Sequence, residues 1–524
     1  MASGDRLSAA CVDMLRSEIG RCVTLCNHPV LSPGYIPSRL LFIGTEDVGD
    51  NQLRLETREQ VHEKANLSGT ESTRYAALSY CWGSPDDAER QCKTKTHSLG
   101  AWHGCIPDRY LSPVVRDAVR LTRSLKICYL WVDALCIIQD DMDDWQRESP
   151  LMGSVYSNAY FTIMVLNSAT CQQGFLTAGG PGEHVPPSND GELPSSADGK
   201  LLADWKAAAW TSRGWTFQEE KLSTRAIYVG PERMYFACTN WIAAEDSPEE
   251  RALVKEKSVP HMVKKASTSE RGIRSLMNYW ELNMLPQYSN RSFTRPQDKL
   301  QAIASVAKCI GDHIGYDYAA GLWVQRMHIQ LLWHCRPAHA RLADLIGDLR
   351  PGGPGFIAPS WSWARFGTVR ELSFRFSAWK GGRKEQRGLK REAQLDVPVI
   401  ENIGADRYVQ VQKGSLRMQT KVMRLNELIV GSGALPEDAE KFRYDWSESG
   451  NEQESLFRAK LELVVIGSNT GNGTAEKQLY GIVAYPADDA TGTYFRVGIF
   501  ECPVQHQSRF EGVKSMESRT ITII

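Results

Sequence analysis

The feature that most constrains the fold of this chain is a short, nearly continuous apolar run over residues 127–132, which ends at Asp133. Such a run is typical of a strand that is covered on both faces, as in parallel sheets. A helical pattern follows over residues 141–159, and we expect it to bend or restart at Pro150 because proline removes a helical hydrogen bond. Another buried strand is predicted over residues 161–166. Together these segments predict a strand–helix–strand unit.

The same alternation begins further upstream, with a strand predicted over residues 75–80. A helix is expected to start at Ser112 and Pro113, since serine is a favoured N-cap and proline is favoured at the first helical position. Alternating strands and helices imply a parallel sheet with right-handed crossovers. Open sheets of this kind hold ligands beyond the carboxyl ends of their strands, which is where Asp133 lies.

The length of 524 residues is too great for one hydrophobic core, so two or three domains are expected. The expected parts are an N-terminal lead-in over 1–70, an α/β domain over 71–250, a helical region over 251–350 and a β-rich C-terminal domain over 351–524. Residues 177–203 are rich in glycine, proline, serine and aspartate and predict a mobile insertion within the α/β domain. A hairpin is predicted over 225–238 and a helix over 320–335. Residues 416–422 alternate with the strand period of two.

The composition is that of an ordinary globular protein, with 42% hydrophobic and 23% charged residues. Its 61 basic and 62 acidic residues give a formal charge of −1, so no global field attracts nucleic acid or anionic membranes. No apolar run approaches the roughly 20 residues of a membrane helix, and the first residues lack the apolar core of a signal peptide. We therefore expect a cytoplasmic protein with no nucleic-acid partner and no membrane span.

The thirteen cysteines are scattered and form no C-x-x-C pair. Cys22 and Cys26 are close to His28, but no second cluster in the sequence completes a zinc site, so no metal is expected and reduced, buried thiols are favoured. The sequence also contains no P-loop, no H-E-x-x-H and no G-x-S-x-G motif. Their absence argues against several common enzyme classes.

Three dense stretches carry a resemblance to a known family. They are YAALSYCWG from Tyr75, LWVDALCIIQDDMDDWQRESPLMGSVYSN from Leu130 and TSRGWTFQEEKLSTR from Thr211. In this order they resemble the fungal heterokaryon incompatibility (HET) domain. Segments similar to those that usually accompany this domain follow downstream: RPQDKLQAIASVA, YAAGLW and APSWSWARF. The long insertion before the third stretch departs from the family pattern, and no nucleotide-binding ATPase or repeat sensor is recognised in the sequence.

The resemblance implies both a fold and a function. HET domains are distantly similar to Toll/interleukin-receptor (TIR) domains, so a TIR-like parallel sheet with flanking helices is expected. Family members are similar to effectors of fungal allorecognition and innate immunity, in which activation leads to programmed cell death. Some TIR domains cleave NAD at the nicotinamide glycosidic bond. NAD hydrolase activity, with NAD as substrate and with no bound cofactor, is therefore one implied function.

Glu219 is the candidate catalytic residue. In TIR enzymes a glutamate follows a tryptophan at the start of a helix, and WTFQE, from Trp215 to Glu219, looks like that arrangement. A carboxylate suits the chemistry because loss of nicotinamide creates an oxocarbenium-like ribosyl centre. The alternative is that Thr216 and Glu219 form a capping box at the start of the helix.

A polar rim of candidate substrate-binding residues follows the apolar strand: Asp133, Cys136, Gln139 and Asp140. They would hold a ribose or position Glu219. The alternative is hydrogen bonding within the loop, with Asp140 or Asp141 as the N-cap of the next helix. For Cys136 a buried thiol is the favoured interpretation, because no histidine lies nearby in the sequence to activate it.

A further set of candidates lies at the exit of the strand predicted over residues 75–80 or precedes the Glu219 helix: Ser79, Tyr80, Trp82, Gly83, Arg213 and Trp215. A glycine after an aromatic residue would let backbone amides approach a phosphate, and Trp82 would stack on a base or nicotinamide ring. The alternative is a strand-end turn with the tryptophan packed in the core. Arg213 would bind a phosphate or pair with Asp133, and the sequence leaves both open.

Three functions are consistent with these residues. The first is an effector that consumes NAD, a small nucleotide substrate. The second is a non-catalytic death-signalling module that acts through self-association or a signalling partner. The third is a small-molecule enzyme of fungal secondary metabolism that uses the same crevice.

Overall fold

The computed structural model divides the chain into two compact units. The first comprises residues 1–266 with 305–310, and the second comprises 267–304 with 311–524. The structure describes residues 6–44, 52–68, 73–177, 196–254, 258–337, 339–353, 355–366, 372–374, 389–402, 407–425, 442–447, 459–469, 478–488, 492–503 and 516–524.

The first unit is built around a nine-stranded mixed sheet. Its strands in chain order are β1 (Arg39–Phe42), β2 (Arg54–Thr57), β3 (Tyr75–Ser79), β4 (Tyr129–Trp131), β5 (Phe161–Val165), β6 (Arg225–Val229), β7 (Met234–Cys238), β8 (Trp241–Ala244) and β9 (Ser247–Leu253). Their spatial order is β2-β1-β4-β3-β5-β6-β7-β8-β9.

The centre of this sheet is parallel, which confirms the expected α/β architecture. Strands β4, β3, β5 and β6 run parallel, whereas β1 and β7 flank them in antiparallel pairs. Every residue of β3, β4 and β5 is buried, as their continuous apolar runs predicted. Numbered along the chain, the four parallel strands take the spatial order 2-1-3-4, which is the start of the flavodoxin-like doubly wound order.

Helices of the first unit pack around this sheet. They are α1 (Ala9–Leu25), α2 (Arg58–Ser68), α3 (Pro85–Arg90), α4 (Leu99–Gly104), α5 (Pro113–Ser124), α6 (Asp133–Cys136), α7 (Met142–Glu148), α8 (Met152–Asn158), α9 (Ala197–Ala207), α10 (Thr216–Leu222) and α11 (Val259–Lys265). One face of α5, which carries its valines and alanine, is buried. Burial of each valine side chain stabilises the folded protein by roughly 1–3 kcal/mol.

Local signals fix several helix ends where the sequence predicted them. Ser112 occupies the N-cap position of α5 and Pro113 its first turn. Asp141 caps α7, and its carboxylate accepts from the amides of Asp143 and Asp144 at 2.9 and 3.2 Å. A 3₁₀ turn that contains Pro150 separates α7 from α8. The predicted restart of this helix is confirmed.

The insertion expected over 177–203 is corrected at its C-terminal end. Residues 178–195 lie outside the described part of the chain, but α9 begins at Ala197. Ala197 and Leu201 are one helical turn apart and buried, and the helix packs near β8 and β9. Burial of this face favours a helix over the loop that the preceding glycines and prolines suggested.

The second unit contains helices and a ten-stranded, largely antiparallel sheet. Its helices are α12 (Glu270–Tyr279), α13 (Leu285–Ser289), α15 (Met327–Gln330) and α16 (Leu342–Leu349), together with the ends of α14 (Gln301–Ile314), whose residues 305–310 belong to the first unit. The strands are β10 (Tyr318–Ala319), β11 (Leu322–Trp323), β12 (Trp333–His334), β13 (Ser373–Phe374), β14 (Lys390–Arg391), β15 (Gln394–Leu395), β16 (Val399–Asn402), β17 (Val411–Thr420), β18 (Val422–Arg424), β19 (Phe442–Tyr444), β20 (Glu462–Asn469), β21 (Gln478–Pro486), β22 (Thr493–Pro503) and β23 (Arg519–Ile523). The β-rich C-terminal region is confirmed.

The helix predicted over 320–335 is wrong for most of its length. Residues 318–323 form a hairpin, and only Met327–Gln330 is α-helical. The two turn residues, Ala320 and Gly321, have φ of 45° and 94°. Positive φ at both central positions is characteristic of a type I′ hairpin turn, and this conformation interrupts a helix.

Buried charges hold part of the second unit together. Asp445 accepts from Arg365 and from Arg496, the latter at 2.9 Å, and all three side chains are almost fully buried. The Arg496 guanidinium also lies 3.6 Å from the centroid of the Trp333 ring. Paired and stacked in this way, the two cations offset part of the cost of their desolvation.

Candidate functional site

The candidate site is centred on a hydrogen bond between β3 and α10. Ser79, the last residue of β3, donates its hydroxyl hydrogen to the carboxylate of Glu219 on α10. The same hydroxyl oxygen accepts a hydrogen bond from the indole nitrogen of Trp210 at 2.8 Å. Ser79 is 1% exposed and Glu219 is 6% exposed. The first and third family-like stretches therefore meet at the carboxyl edge of the parallel strands.

Asp133 brings the second stretch to the same place. It follows β4, and its Oδ2 atom accepts from the indole nitrogen of Trp82 at 2.9 Å. Its other oxygen accepts from the amide of Ala134 at 2.7 Å. The hydroxyl of Tyr80 lies near the Asp133 carboxyl group and donates its hydrogen to Gln91 Oε1 at 2.7 Å.

The Asp133 carboxyl group lies in a recess. The residue retains partial exposure, yet the surrounding protein raises its pKa because burial disfavours the charged form. The Ala134 amide, the Arg213 charge and the Trp82 indole oppose this effect by stabilising the carboxylate. Burial, together with the charge of Asp133, raises the pKa of Tyr80 well above its usual value, so Tyr80 stays protonated.

Arg213 supplies positive charge to the group of residues around Glu219 and Asp133. Its guanidinium donates to the carbonyl of Tyr80 at 3.3 Å, and its charge acts on Asp133 and Cys81. The two roles left open by the sequence, phosphate binding and pairing with Asp133, are compatible with this position. A partly exposed cation beside a recessed carboxyl group is suited to orienting an anionic ligand.

Two aromatic residues at the rim are partly exposed. Trp82 donates to Asp133, as described above, and Trp215 immediately precedes α10. The Trp215 ring meets Trp145 edge to face, with centroids 6.3 Å apart. These indoles present aromatic surface next to the carboxyl groups.

The proposed capping box is not the role that the structure gives to Thr216. Trp215 holds the N-cap position, and Thr216 lies within the helix. The Thr216 hydroxyl donates to the carbonyls of Trp210 and Arg213, at 2.8 and 2.9 Å. Thr216 thus ties the start of α10 to the preceding turn, while the Glu219 carboxylate bonds to Ser79.

Three other candidates have local roles. Cys136 is 1% exposed, and burial raises the pKa of its thiol to about 12, so it is held as an unreactive thiol. Gln139 donates to the carbonyl of Asp133 at 3.0 Å and so supports the loop that carries Asp133. Asp140 is exposed and accepts from the amide of Thr96 at 2.7 Å. Cys136 and Asp140 therefore lie outside the contacts that surround Glu219.

Gly83 is placed at a tight turn. Its φ is +88°, and a Cβ atom there would lie 2.5 Å from Thr170 Oγ1 and 2.7 Å from Asp87 Oδ2. Only glycine accommodates both the backbone conformation and this close approach. The turn itself explains the glycine, and the phosphate-binding role of its backbone stays a prediction.

Sequence reasoning missed two members of the cluster, Trp210 and Tyr156. Trp210 is fully buried and donates to Ser79. Tyr156 donates to the carbonyl of Leu78 at 3.2 Å, and the charges of Glu219 and Asp133 raise the pKa of its hydroxyl further above the value set by burial. Tyr156 belongs to the second dense stretch and Trp210 immediately precedes the third, which was the signal available in the sequence.

A recess lined by cationic side chains adjoins the residues around Asp133 through Gln91, which accepts a hydrogen bond from Tyr80. It is a cavity of about 290 Å³ whose lining includes Arg90, Gln91, Lys93, Lys95, His97 and Trp102. Among the described residues, Gln91 Nε2 and Trp102 Nε1 are buried donors without a hydrogen-bond partner. Glu89, also in the lining, pairs with Lys93 at 2.8 Å. The recess offers more positive than negative charge and two unused donors, which suits an anion.

No helix in the described ranges is long and apolar enough to cross a membrane.

Comparisons with known proteins place a family match within the first unit. Residues 75–219 match the family model described as "Heterokaryon incompatibility protein (HET)". The protein named "Heterokaryon incompatibility protein 6, OR allele" of Neurospora crassa is 30% identical over 111 residues, which is 18% of this chain and 14% of that relative. The match therefore spans a small part of the relative's length. No solved structure matches.

Proposed function

With residues 75–219 identified as a HET domain, we propose that this chain acts in fungal incompatibility by cleaving NAD at the nicotinamide glycosidic bond. One observation carries the proposal. The Ser79–Glu219 hydrogen bond joins two distant parts of the domain beside Asp133, at the edge of the sheet where ligands bind. Loss of cellular NAD would then lead to the cell death on which incompatibility depends.

The proposed reaction needs a carboxylate near the ribose. The bond between C1′ and the nicotinamide nitrogen breaks, and its electron pair leaves with nicotinamide. Water adds to C1′ and releases a proton, which gives ADP-ribose. The charge that develops on the ribose in the transition state is stabilised by Glu219, which Ser79 holds in place. Removal of one preorganised group of this kind lowers a rate by about 10²–10³.

The neighbouring residues fit the remaining parts of the substrate. Asp133, in its recess, would accept hydrogen bonds from the ribose hydroxyls. Trp82 and Trp215 would stack on the nicotinamide ring. Arg213 and the cation-lined recess would bind the diphosphate, because guanidinium and ammonium groups pair with phosphate oxygens.

The sheet supports a TIR-like interpretation of the domain. Its parallel strands take the order 2-1-3-4. Strand β4 lies on one side of β3, whereas β5 and β6 lie on the other side, so the order of the strands reverses between β3 and β5. Ser79 ends β3, next to this reversal. We also propose that the domain boundaries lie at residues 70, 250 and 350 and that the protein acts in the cytoplasm.

A second candidate function is a non-catalytic signalling module that acts by self-association. The low exposure of Ser79 and Glu219 favours it, since a buried, hydrogen-bonded pair also serves to hold two elements together. In this case Glu219 would position α10 and the killing activity would come from an assembled surface.

The decisive measurement is nicotinamide release from NAD by the purified full chain. Glu219→Gln is nearly isosteric, and Glu220→Gln is the matched control because Glu220 lies on the same helix and accepts from Trp205 at 3.1 Å. We expect Glu219→Gln to lose about 10²-fold or more in kcat and Glu220→Gln to stay near the wild type. Melting temperatures of the three proteins separate lost chemistry from lost folding.

Expression in a fungal cell separates the two candidate functions. If toxicity and NAD loss both disappear in Glu219→Gln, the catalytic proposal stands. If wild-type protein kills cells while NAD levels hold, and Glu219→Gln kills equally well, catalysis is excluded and the signalling module is favoured. A concentration-dependent increase in size by light scattering would then identify the assembly.

A further inference from the structure

We propose that Cys22, Cys26, His28 and Cys238 bind one zinc ion. The three thiol sulfurs and an imidazole nitrogen lie within 4.8 Å of one another. Cys22 is near the end of α1, Cys26 caps it, and His28 follows in the next loop. Cys238 is the last residue of β7. The spacing of the first three ligands suggested no complete site because the fourth lies far along the chain.

The distances suit a tetrahedral Cys₃His centre. Zinc–sulfur and zinc–nitrogen bonds of about 2.3 and 2.0 Å place tetrahedral ligand atoms roughly 3.5–3.8 Å apart. His28 Nε2 lies 3.2 Å from Cys22 Sγ. Since every ligand pair already lies within 4.8 Å, small side-chain rotations would bring the four atoms onto one ion. Thiolate and imidazole ligands in this number are typical of structural zinc.

The surroundings of His28 orient it as a metal ligand. Its Nδ1 atom lies 2.7 Å from the hydroxyl of Thr239, which itself lies 3.4 Å from His261 Nδ1. A hydrogen bond from Nδ1–H to Thr239 leaves Nε2, the nitrogen that faces the sulfurs, with its lone pair available. Metal-ligating histidines are usually fixed in this way by a polar partner on the other ring nitrogen.

N–H donors point at all three sulfurs. Arg225 Nε lies 3.2 Å from Cys22 Sγ, the Asn240 side-chain amide 3.0 Å from Cys26 Sγ, and the Asn240 backbone amide 3.4 Å from Cys238 Sγ. Such donors stabilise thiolates, whereas neutral thiols gain less from them. Three thiolates on Zn²⁺ leave one net negative charge, which the Arg225 guanidinium offsets.

The site is structural and independent of the candidate active site. Four protein ligands leave no open position for water or substrate. Cys238 pairs in register with Arg225, the first residue of β6, so the cluster lies at the amino edge of the parallel strands. Ser79 lies at the opposite, carboxyl edge. The zinc would fasten α1 and its following loop to β7.

The test is the metal content of the full chain, purified without chelator from zinc-replete cells and measured by plasma mass spectrometry. About one zinc per chain is expected. Replacement by Co²⁺ should give the thiolate charge-transfer band and the intense visible bands of a tetrahedral site. Cys238→Ser and His28→Ala should lose the metal, whereas Cys105→Ser, which changes a cysteine outside the cluster, should retain it.

Two further variants distinguish ligation from a general role in folding. His28→Cys keeps four ligands and should retain the metal, with cobalt bands shifted toward those of a Cys₄ site. Thr239→Val should weaken zinc binding by about 10–100-fold, as loss of an outer-shell partner does. Wild-type protein that carries no zinc and gives no cobalt bands when reduced, or whose intact mass shows a disulfide within the cluster, would overturn the proposal.

Discussion

The side chains of Ser79 and Glu219, 140 positions apart in the chain, form a direct hydrogen bond that joins the end of a parallel strand to a helix. Both residues are buried, so the carboxylate receives the serine hydrogen in surroundings with little access for water. A buried carboxylate deprived of a donor is costly to maintain, so the contact fixes the position of Glu219.

Ser79→Ala should lower NAD cleavage by about tenfold or more, since Glu219 keeps its charge but loses the donor that orients it. The free energy of unfolding should fall by about 1–3 kcal/mol, because Trp210 also loses its acceptor. Kinetics and denaturant titrations measure the two effects. Ser212→Ala is the control, since Ser212 is exposed and donates only locally to Ala209. Equal loss of activity in both variants would contradict the assignment.

Asp133 should make stability depend on pH. Its pKa is raised in the folded protein, so the folded state binds this proton more tightly than the unfolded chain. The resulting stabilisation is present in acid and is lost as the pH rises through the raised pKa. Asp133→Asn should therefore gain stability relative to the wild type at neutral pH, by about 1.4 kcal/mol for every tenfold difference in proton affinity between the folded and unfolded states, and lose this advantage in acid.

Thermal melts of the wild type and Asp133→Asn from acid to neutral pH measure the difference in stability between the two proteins. A stability difference that is independent of pH would refute the assignment. The same substitution should reduce NAD cleavage, because the amide cannot accept hydrogen bonds from ribose at both positions.

Lys299 should give the opposite pH dependence. It is fully buried and donates to the carbonyl of Phe366 at 2.8 Å, and burial lowers its pKa to about 7. Between this value and the ordinary pKa the unfolded chain binds more protons, so the free energy of unfolding should rise with pH, by up to about 1.4 kcal/mol per pH unit. Denaturant titrations at neutral and alkaline pH should show this rise in the wild type and lose it in Lys299→Met. Lys413→Met, which changes an exposed lysine, should retain the rise.

Asp445→Ala should destabilise the protein by about 3–5 kcal/mol, because it leaves the buried cations Arg365 and Arg496 without their shared partner. The matched control is Asp317→Ala, which breaks an exposed pair with Arg407 and should cost less than about 1 kcal/mol. Chemical denaturation measures both. A small change in Asp445→Ala would mean that water reaches the two guanidinium groups.

Local chemistry in the sequence predicted much of the first unit. The apolar runs of β3, β4 and β5 indicated the parallel sheet, and Pro150 marked the break between α7 and α8. The signals failed where a distant contact decides the conformation. Leu201 is buried against strands that follow it, so a segment expected to be loop is helical. The hairpin at Ala320 depends on positive φ, which a non-glycine residue does not indicate.

The candidate site, like the fold, was predicted from the sequence only in part. Glu219 was chosen through a family resemblance and Ser79 through its place at the exit of a predicted strand, since neither strand period nor helix period indicates that they touch. Trp210 was missed because a buried tryptophan is ordinarily a packing residue, and its donor role becomes visible only when Ser79 is beside it. Cys238 was missed as a ligand because a coordination set assembled across a sheet leaves no short spacing to recognise.

The indole of Trp210 sets the direction of the contact between Ser79 and Glu219. An indole N–H can only donate, so it occupies a lone pair of the serine oxygen and leaves the single hydroxyl hydrogen to point at the carboxylate. Both hydrogen bonds therefore point in the same direction, from Trp210 to Ser79 and from Ser79 to Glu219, and the Glu219 oxygen is held as an acceptor. Without the indole, the serine hydroxyl could rotate its hydrogen away from Glu219, so Trp210 helps to keep this contact in place.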